Sequence, residues 1–168
     1  MIVVVGGPSG CGKSTVGSSL AEALNAPYVE GDALHPKENI HKMETGHPLT
    51  DEDRWGWLAK IAHHSQEEAL KSKSGICVVS CSSLKKVYRD RIREEAPEET
   101  VCFVFITVDL EELKRRVSHR QHHFMKVDMV NSQIAIMEVP QTNESKCLVY
   151  HNDVDIKDCV SKIKKLMK

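Results

Sequence analysis

The run Gly6-Gly7-Pro8-Ser9-Gly10-Cys11-Gly12-Lys13-Ser14-Thr15 constrains this chain more than any other stretch. Within it, Gly7-x-x-x-x-Gly12-Lys13-Ser14 is the phosphate-loop pattern, which requires a strand before it and a helix after it. Both are predicted: Ile2-Val3-Val4-Val5 is a short β-branched apolar run, and Thr15 to Leu24 reads as a helix. Gly7, Gly10 and Gly12 admit positive φ and let the backbone come close to a phosphate. The loop N–H groups and the helix N-terminus then form an anion nest with a favourable dipole. Lys13 is expected to reach the β- and γ-phosphates, and the Ser14 hydroxyl to ligand Mg2+. Pro8, Ser9, Cys11 and Thr15 complete the nucleotide-binding set. The competing account is a glycine turn that only joins a strand to a helix. The flanking elements favour a nucleoside triphosphate.

The rest of the chain repeats the strand-then-helix alternation. Further strands are predicted at Pro27–Glu30, Ile76–Ser80, Val101–Val108 and Cys147–Tyr150, all apolar runs without strict alternation. Helices are predicted at Pro36 to Gly46, from Thr50 in capping-box style, at Leu84 to Glu95, at Asp109 to Val117 and over roughly 126 to 138. A final helix follows the last strand and carries an apolar face of Ile156, Cys159, Val160, Ile163, Leu166 and Met167. Asn25 is a plausible stop for the first helix. A length of 168 residues suits one domain, able to bury about 70% of its unfolded surface. The expected fold is α/β, a five-stranded parallel sheet with helices on both faces. Ligands of such sheets bind at the carboxyl ends of the strands. Gly7–Ser14, Asp32, Ser80–Ser83 and Asp109 all come after strand ends and should therefore share one edge.

A second group of residues suggests the acceptor. Asp32, just past the second strand, faces the loop across that edge and is placed to take a proton from an attacking hydroxyl. Glu30 is placed to hold Mg2+ through water. An Asp turn capping the next helix is the plainer reading of Asp32. Lys85, Lys86, Arg89, Arg91 and Arg93 crowd one helix, where Lys86, Arg89 and Arg93 share a face; it either grips an anionic substrate or is a solvated basic surface. Arg115, Arg116 and Arg120 come after the fourth strand, where a mobile lid would bring arginines to a transferring phosphate. The neighbouring His119, His122 and His123 have poor chelate geometry for a metal.

Absences narrow the class. The third strand ends in Ser80 rather than a Walker B aspartate, Asp109 reads better as an N-cap, and no Asn-Lys-x-Asp guanine motif occurs. A small-molecule kinase fits better than a motor ATPase or a GTPase. A net charge of −1 gives no global field for nucleic acid or membranes, and the basic helix lacks an aromatic platform. Six scattered cysteines point to free thiols in a reducing compartment. No basic segment, long apolar run or cleavage site precedes the first strand, so the expectation is a soluble, cytoplasmic protein without nucleic-acid or membrane partners.

At this point the chain resembles the gluconokinase family, small phosphate-loop kinases related in fold to shikimate and nucleoside monophosphate kinases. The signatures are Gly31-Asp32-Ala33-Leu34-His35-Pro36-Lys37-Glu38-Asn39-Ile40-His41-Lys42-Met43 and Gly46-His47-Pro48-Leu49-Thr50-Asp51-Glu52-Asp53-Arg54-Trp55-Gly56-Trp57-Leu58. Further along stand Cys81-Ser82-Ser83-Leu84-Lys85-Lys86-Val87-Tyr88-Arg89-Asp90, Arg120-Gln121-His122-His123-Phe124-Met125, Ser132-Gln133 and Glu138-x-Pro140. The Cys-Ser-Ser-Leu-Lys-Lys wording and Trp55-x-Trp57 look like the fungal branch. Ile134, Met137 and Gln121-His122 depart from the usual family wording, and none of them touches the loop or Asp32.

The resemblance implies transfer of the ATP γ-phosphoryl group to the 6-hydroxyl of D-gluconate, feeding the pentose phosphate pathway. It puts Asp32 at the acceptor hydroxyl, and makes His35, Arg54, Lys86 and Arg89 candidates for holding the polyol and its carboxylate. Arg116 and Arg120 become lid arginines near ATP, in a lid at about 117–127 of a single domain spanning 1–168, and Lys13, Asp32 and Arg120 the catalytic set. A homodimer is compatible with the family. The rivals are another small-molecule kinase, for shikimate or a nucleoside monophosphate, and a non-catalytic ATP sensor.

Overall fold

β1 (Ile2–Gly6) is buried along its whole length, and its side chains, pointing alternately to opposite faces, divide the core in two. Val3 and Val5 face one layer with Leu20, Leu24, Leu113, Cys159 and Ile163, while Ile2 and Val4 face another with Trp57, Leu58, Ile61, Tyr88 and Ile92. A strand apolar on both sides is stable only when helices cover both faces. The computed structural model describes residues 1–119 and 127–168 and shows that arrangement. β2 (Tyr28–Glu30), β3 (Cys77–Ser80), β4 (Val101–Thr107) and β5 (Cys147–His151) complete a five-stranded sheet of order β2-β3-β1-β4-β5. All of its pairings are parallel, as expected.

α1 (Lys13–Leu24) and α7 (Ile156–Leu166) pack together on one face with α5 (Leu110–Ser118), and α3 (Asp51–Lys71) and α4 (Lys86–Glu95) on the other. α2 (Lys37–Glu44) and α6 (Val127–Ile136) complete the set of described helices. Asn25 ends α1 at φ 51, its N–H bonded to the Ala21 and Glu22 carbonyls. Thr50 and Asp53 form both bonds of the anticipated capping box at the start of α3.

Two local expectations are corrected. α4 starts at Lys86 rather than Leu84, because Ser83 turns through φ 40 and the Leu84 carbonyl is bonded instead to the Glu138 N–H. Asp109 stands at the N-cap position of α5 but makes no side-chain cap bond; its carboxylate lies 3.4 Å from His151 Nε2. Among the described residues no helix is long and apolar enough to cross a membrane.

The close approach of β2 to β3 fixes the course of the chain beyond β2. Gly31 opens a single 3-10 turn (Gly31–Leu34), where a Cβ would run into the Ser80 carbonyl oxygen. Its N–H donates to Ser80 Oγ (3.2 Å), and its carbonyl accepts from Trp57 Nε1 (2.9 Å). Gly31→Ala is therefore expected to lower stability by about 1–3 kcal/mol. Gly56→Ala, inside α3 with nothing near the new methyl, should raise it by about 0.5–1 kcal/mol. Urea unfolding of both variants checks the pair.

Candidate active site

The phosphate loop is built from backbone that other residues hold rigid. Gly7, Gly10 and Gly12 sit at φ 134, 87 and 98, and a Cβ on Gly7 would strike the Ile106 carbonyl of β4. The Gly7 N–H is bonded to the Ser82 carbonyl (3.0 Å), which ties the loop to the end of β3. Gly12 caps α1 without a side chain, so the helix presents its first N–H groups and its positive end to the loop. Lys13 Nζ donates to the Gly7 and Pro8 carbonyls, both at 3.0 Å, and so lies across the loop. Pro8, Ser9 and Cys11 are buried, while Ser14 and Thr15 lie on the more accessible first turn of α1.

Two later elements touch this loop. Arg116 of α5 donates to the Gly10 carbonyl (3.2 Å) and to Glu112 (2.9 Å), so one expected phosphate-facing arginine stands at the loop. Gln133 of α6 accepts a 2.7 Å bond from the Ser9 N–H, a link that the sequence signals only as part of the Ser132-Gln133 wording. Arg120, and with it most of the anticipated 117–127 lid, lies outside the described residues.

Glu30 joins three hydroxyls. Its Oε2 accepts from Ser14 (2.8 Å) and Tyr28 (2.8 Å), and its Oε1 from Ser80 at the end of β3 (2.7 Å). The carboxylate missing from the third strand is thus supplied by the second. Burial pushes the Tyr28 phenol up to about 12, so it remains a donor to Glu30. Ser14 and Glu30 are hard oxygen ligands, the donor type Mg2+ requires. Among the described residues no cluster of three or more acids, histidines or cysteines offers a protein-only metal cage. The pair therefore fits a Mg2+ held mainly by phosphate oxygens and water.

Asp32 is the next carboxylate along, on the 3-10 turn, with His35 Nε2 3.9 Å from its Oδ1. The His35 ring is stacked on Trp57, with centroids 3.8 Å apart and planes 16° from parallel. Burial first, and then the Arg54 charge, lower its pKa to about 4, so the ring is neutral near pH 7. Burial pushes the thiol of Cys81, just past β3, up to about 12.

Arg54 comes from the first turn of α3 and is 8% exposed. Its Nη1 donates to the Leu49 carbonyl (2.9 Å) and to Tyr88 (2.8 Å), and Tyr88 in turn donates to Asp51. Nε and Nη2 of Arg54 make no hydrogen bond to a described residue, and no described carboxylate forms an ion pair with it. Lys85 joins this group instead of Lys86: its Nζ lies 3.2 Å from Asp51 and 5.6 Å from the Tyr88 ring centre. Lys86 points to solvent and pairs with Asp90 (2.7 Å).

Arg89, expected at the substrate, is placed elsewhere. It is 1% exposed and forms a two-toothed pair with Glu144 (2.6 and 2.8 Å), while its Nη1 serves the Ser83 and Leu84 carbonyls. Every guanidinium nitrogen has a protein partner. Burial works against the Glu144 charge, but the Arg89 bonds prevail and hold its carboxyl below the ordinary value. The basic helix is thus largely neutralised, by Glu144, Asp90 and Glu95.

Comparison with known proteins adds relatives. A family model described as AAA domain matches residues 3–138. The chain is 42% identical over 148 residues to a probable gluconokinase of Saccharomyces cerevisiae, covering 85% of this chain and 77% of that protein. It is 42% identical over 162 residues to a gluconokinase of Gluconobacter oxydans, covering 94% and 88% respectively. A gluconokinase crystal structure from Sinorhizobium meliloti 1021 superposes with a TM-score of 0.78 at 41% identity, over 98% of this chain and 90% of that one.

Two measurements test the placements. Arg89→Ala strands the buried Glu144 charge and should lower unfolding free energy by about 3 kcal/mol; intact stability with a raised KM for the acceptor would return Arg89 to the substrate. For His35, protons bind from pH 6.5 downward in the unfolded chain but only near about 4 in the folded one. Between those values the unfolded state holds more protons, so stability falls as pH falls, by up to roughly 3 kcal/mol. Unfolding curves from pH 7 to 4 should show His35→Gln losing less stability than the parent.

Proposed function

The chain belongs to the gluconokinase family, and from that premise we propose that it transfers the γ-phosphoryl group of ATP to the 6-hydroxyl of D-gluconate. The observation that carries the acceptor is Arg54. A buried guanidinium without a carboxylate partner among the described residues is costly unless an anion arrives, and its unused Nε and Nη2 present the fork that a carboxylate fits. Gluconate brings one carboxylate and a chain of hydroxyls. Tyr88 holds the Arg54 guanidinium from behind and is itself bonded to Asp51, which Lys85 neutralises.

The loop N–H groups, the N-terminus of α1 and Lys13 bind the nucleotide phosphates, Lys13 turning from the loop carbonyls to the β- and γ-oxygens. Ser14 and Glu30 would hold Mg2+, which when bound neutralises charge on those oxygens. Asp32 orients the 6-hydroxyl and takes its proton as the hydroxyl oxygen forms a bond to the γ-phosphorus. The bond from that phosphorus to the β,γ-bridging oxygen breaks, and ADP leaves with the electron pair. Because the phosphoryl transition state is loose, Asp32 contributes chiefly by aligning the nucleophile. Arg116, and Arg120 on a lid at about 117–127, meet the charge on the transferring group. The unit is one domain over 1–168, working in the cytoplasm on a small acid, with neither nucleic acid nor membrane as partner.

The test is ADP release from Mg-ATP by the purified protein with D-gluconate, shikimate, AMP or no acceptor. Release that depends on gluconate alone is expected. Asp32→Asn should abolish it with ATP binding retained, and Arg54→Met should raise the gluconate KM at least about tenfold, the worth of one charged contact. Turnover with another acceptor would discard gluconate, and ATP binding without turnover on any of them would favour the sensor.

A further inference from the structure

Asn39, in the first turn of α2, is 3% exposed and makes two contacts through one atom. Its Nδ2 lies 2.8 Å from the backbone carbonyl of Asp53 and 3.3 Å from Nδ1 of His35. The first contact fixes the orientation of the carboxamide, since a carbonyl only accepts and an amide oxygen at that place would face another oxygen. The atom is therefore the NH2 nitrogen. Its second hydrogen points at His35 Nδ1, which must carry a lone pair. In a neutral ring the proton then sits on Nε2, the nitrogen 3.9 Å from Asp32 Oδ1.

The groups round the ring favour the same state. Arg54 opposes an imidazolium, the Trp57 stack fixes the ring plane, and Trp57 is itself tied to the Gly31 carbonyl. Asp32 is the carboxylate on the Nε2 side. The separation of Nε2 and Oδ1 is too long for a direct hydrogen bond and suits an oxygen that contacts both.

We propose that Asn39 is a positioning residue: it locks His35 as the Nε2–H tautomer, so that the ring donates a hydrogen bond to the acceptor hydroxyl oxygen while that hydroxyl donates its own proton to Asp32. This rests on the reading of Asp32 as the residue facing the acceptor hydroxyl. The two bonds have opposite sense and together fix both lone pair and proton of the nucleophile. With the other tautomer, the Nε2 lone pair would compete with Asp32 for the hydroxyl proton, and the oxygen would have no donor. Asn39 touches neither substrate nor nucleotide in this arrangement; it acts through the ring.

The test uses long-range proton–nitrogen NMR on the free, full-length protein near pH 7, which reads the tautomer before any acceptor is added. Nδ1 of His35 should resonate as a bare nitrogen and Nε2 as a protonated one. Asn39→Asp replaces the donor with an acceptor, so the His35 proton should move to Nδ1 and leave Nε2 bare. Gluconate-dependent kcat should fall about a hundredfold, the lower end of the range for loss of one positioned donor, with the KM for ATP within about twofold of the parent. A proton on Nδ1 in the parent protein overturns the proposal even if Asn39→Asp fails to fold. So does Asn39→Asp with a shifted tautomer and unchanged kcat. Loss of gluconate dependence in the parent would strike the functional reading instead, leaving the tautomer where the spectrum puts it.

Discussion

Everything at this sheet edge depends on how closely β2 approaches the end of β3. Gly31 lies where no side chain fits, against the Ser80 carbonyl, and Ser80 Oγ both accepts from the Gly31 N–H and donates to Glu30. That contact brings Glu30 to the Ser14 hydroxyl and turns the chain so that Asp32 comes next. Parallel pairing in register (Glu30 opposite Ser80, Val5 opposite Ser80 on the other side) sets the three strand ends level. A one-residue slip would exchange Glu30 for Val29 at the loop hydroxyl, so register and chemistry are the same constraint.

Charge burial separates scaffold from site. Arg89 and Arg54 are both buried arginines near α4, and both bond backbone carbonyls. Arg89 has Glu144 as counter-ion, which closes the α4–β5 region; Arg54 has a tyrosine and a carbonyl. The first is complete as it stands. The second is a buried cation whose direct hydrogen-bond partners are neutral, with the Asp51 carboxylate reached only through Tyr88.

Local features of the chain are legible in the sequence. The strands and their order of appearance come from apolar runs, the stop at Asn25 and the Thr50–Asp53 box from residue type and spacing, and the loop from its glycines. Misplacements arise where the deciding partner is distant. Arg89 reads as a ligand because Glu144 lies 55 residues away, beyond any helical-spacing argument. Lys86 reads as a ligand, but it lies on the first turn of α4 and pairs with Asp90, while Lys85, at the N-cap position before the helix, reaches Asp51. Asn39 and Gln133 are marked only as part of the family wording, and nothing local in the sequence says what they bond. Their partners, Asp53 and Ser9, come from other elements.

The resting position of Lys13 has a consequence for nucleotide capture. A free lysine side chain gives up about 1.5–2 kcal/mol of rotamer freedom when it is fixed. Here that ordering accompanies folding, because the Gly7 and Pro8 carbonyls already hold the ammonium over the loop. On the function proposed above, an arriving phosphate would meet a cation already tethered within reach and would replace two carbonyl partners with its own oxygens. Capture would then be a swap of hydrogen-bond acceptors rather than a search by a flexible arm, with the lysine ordered before the ligand arrives.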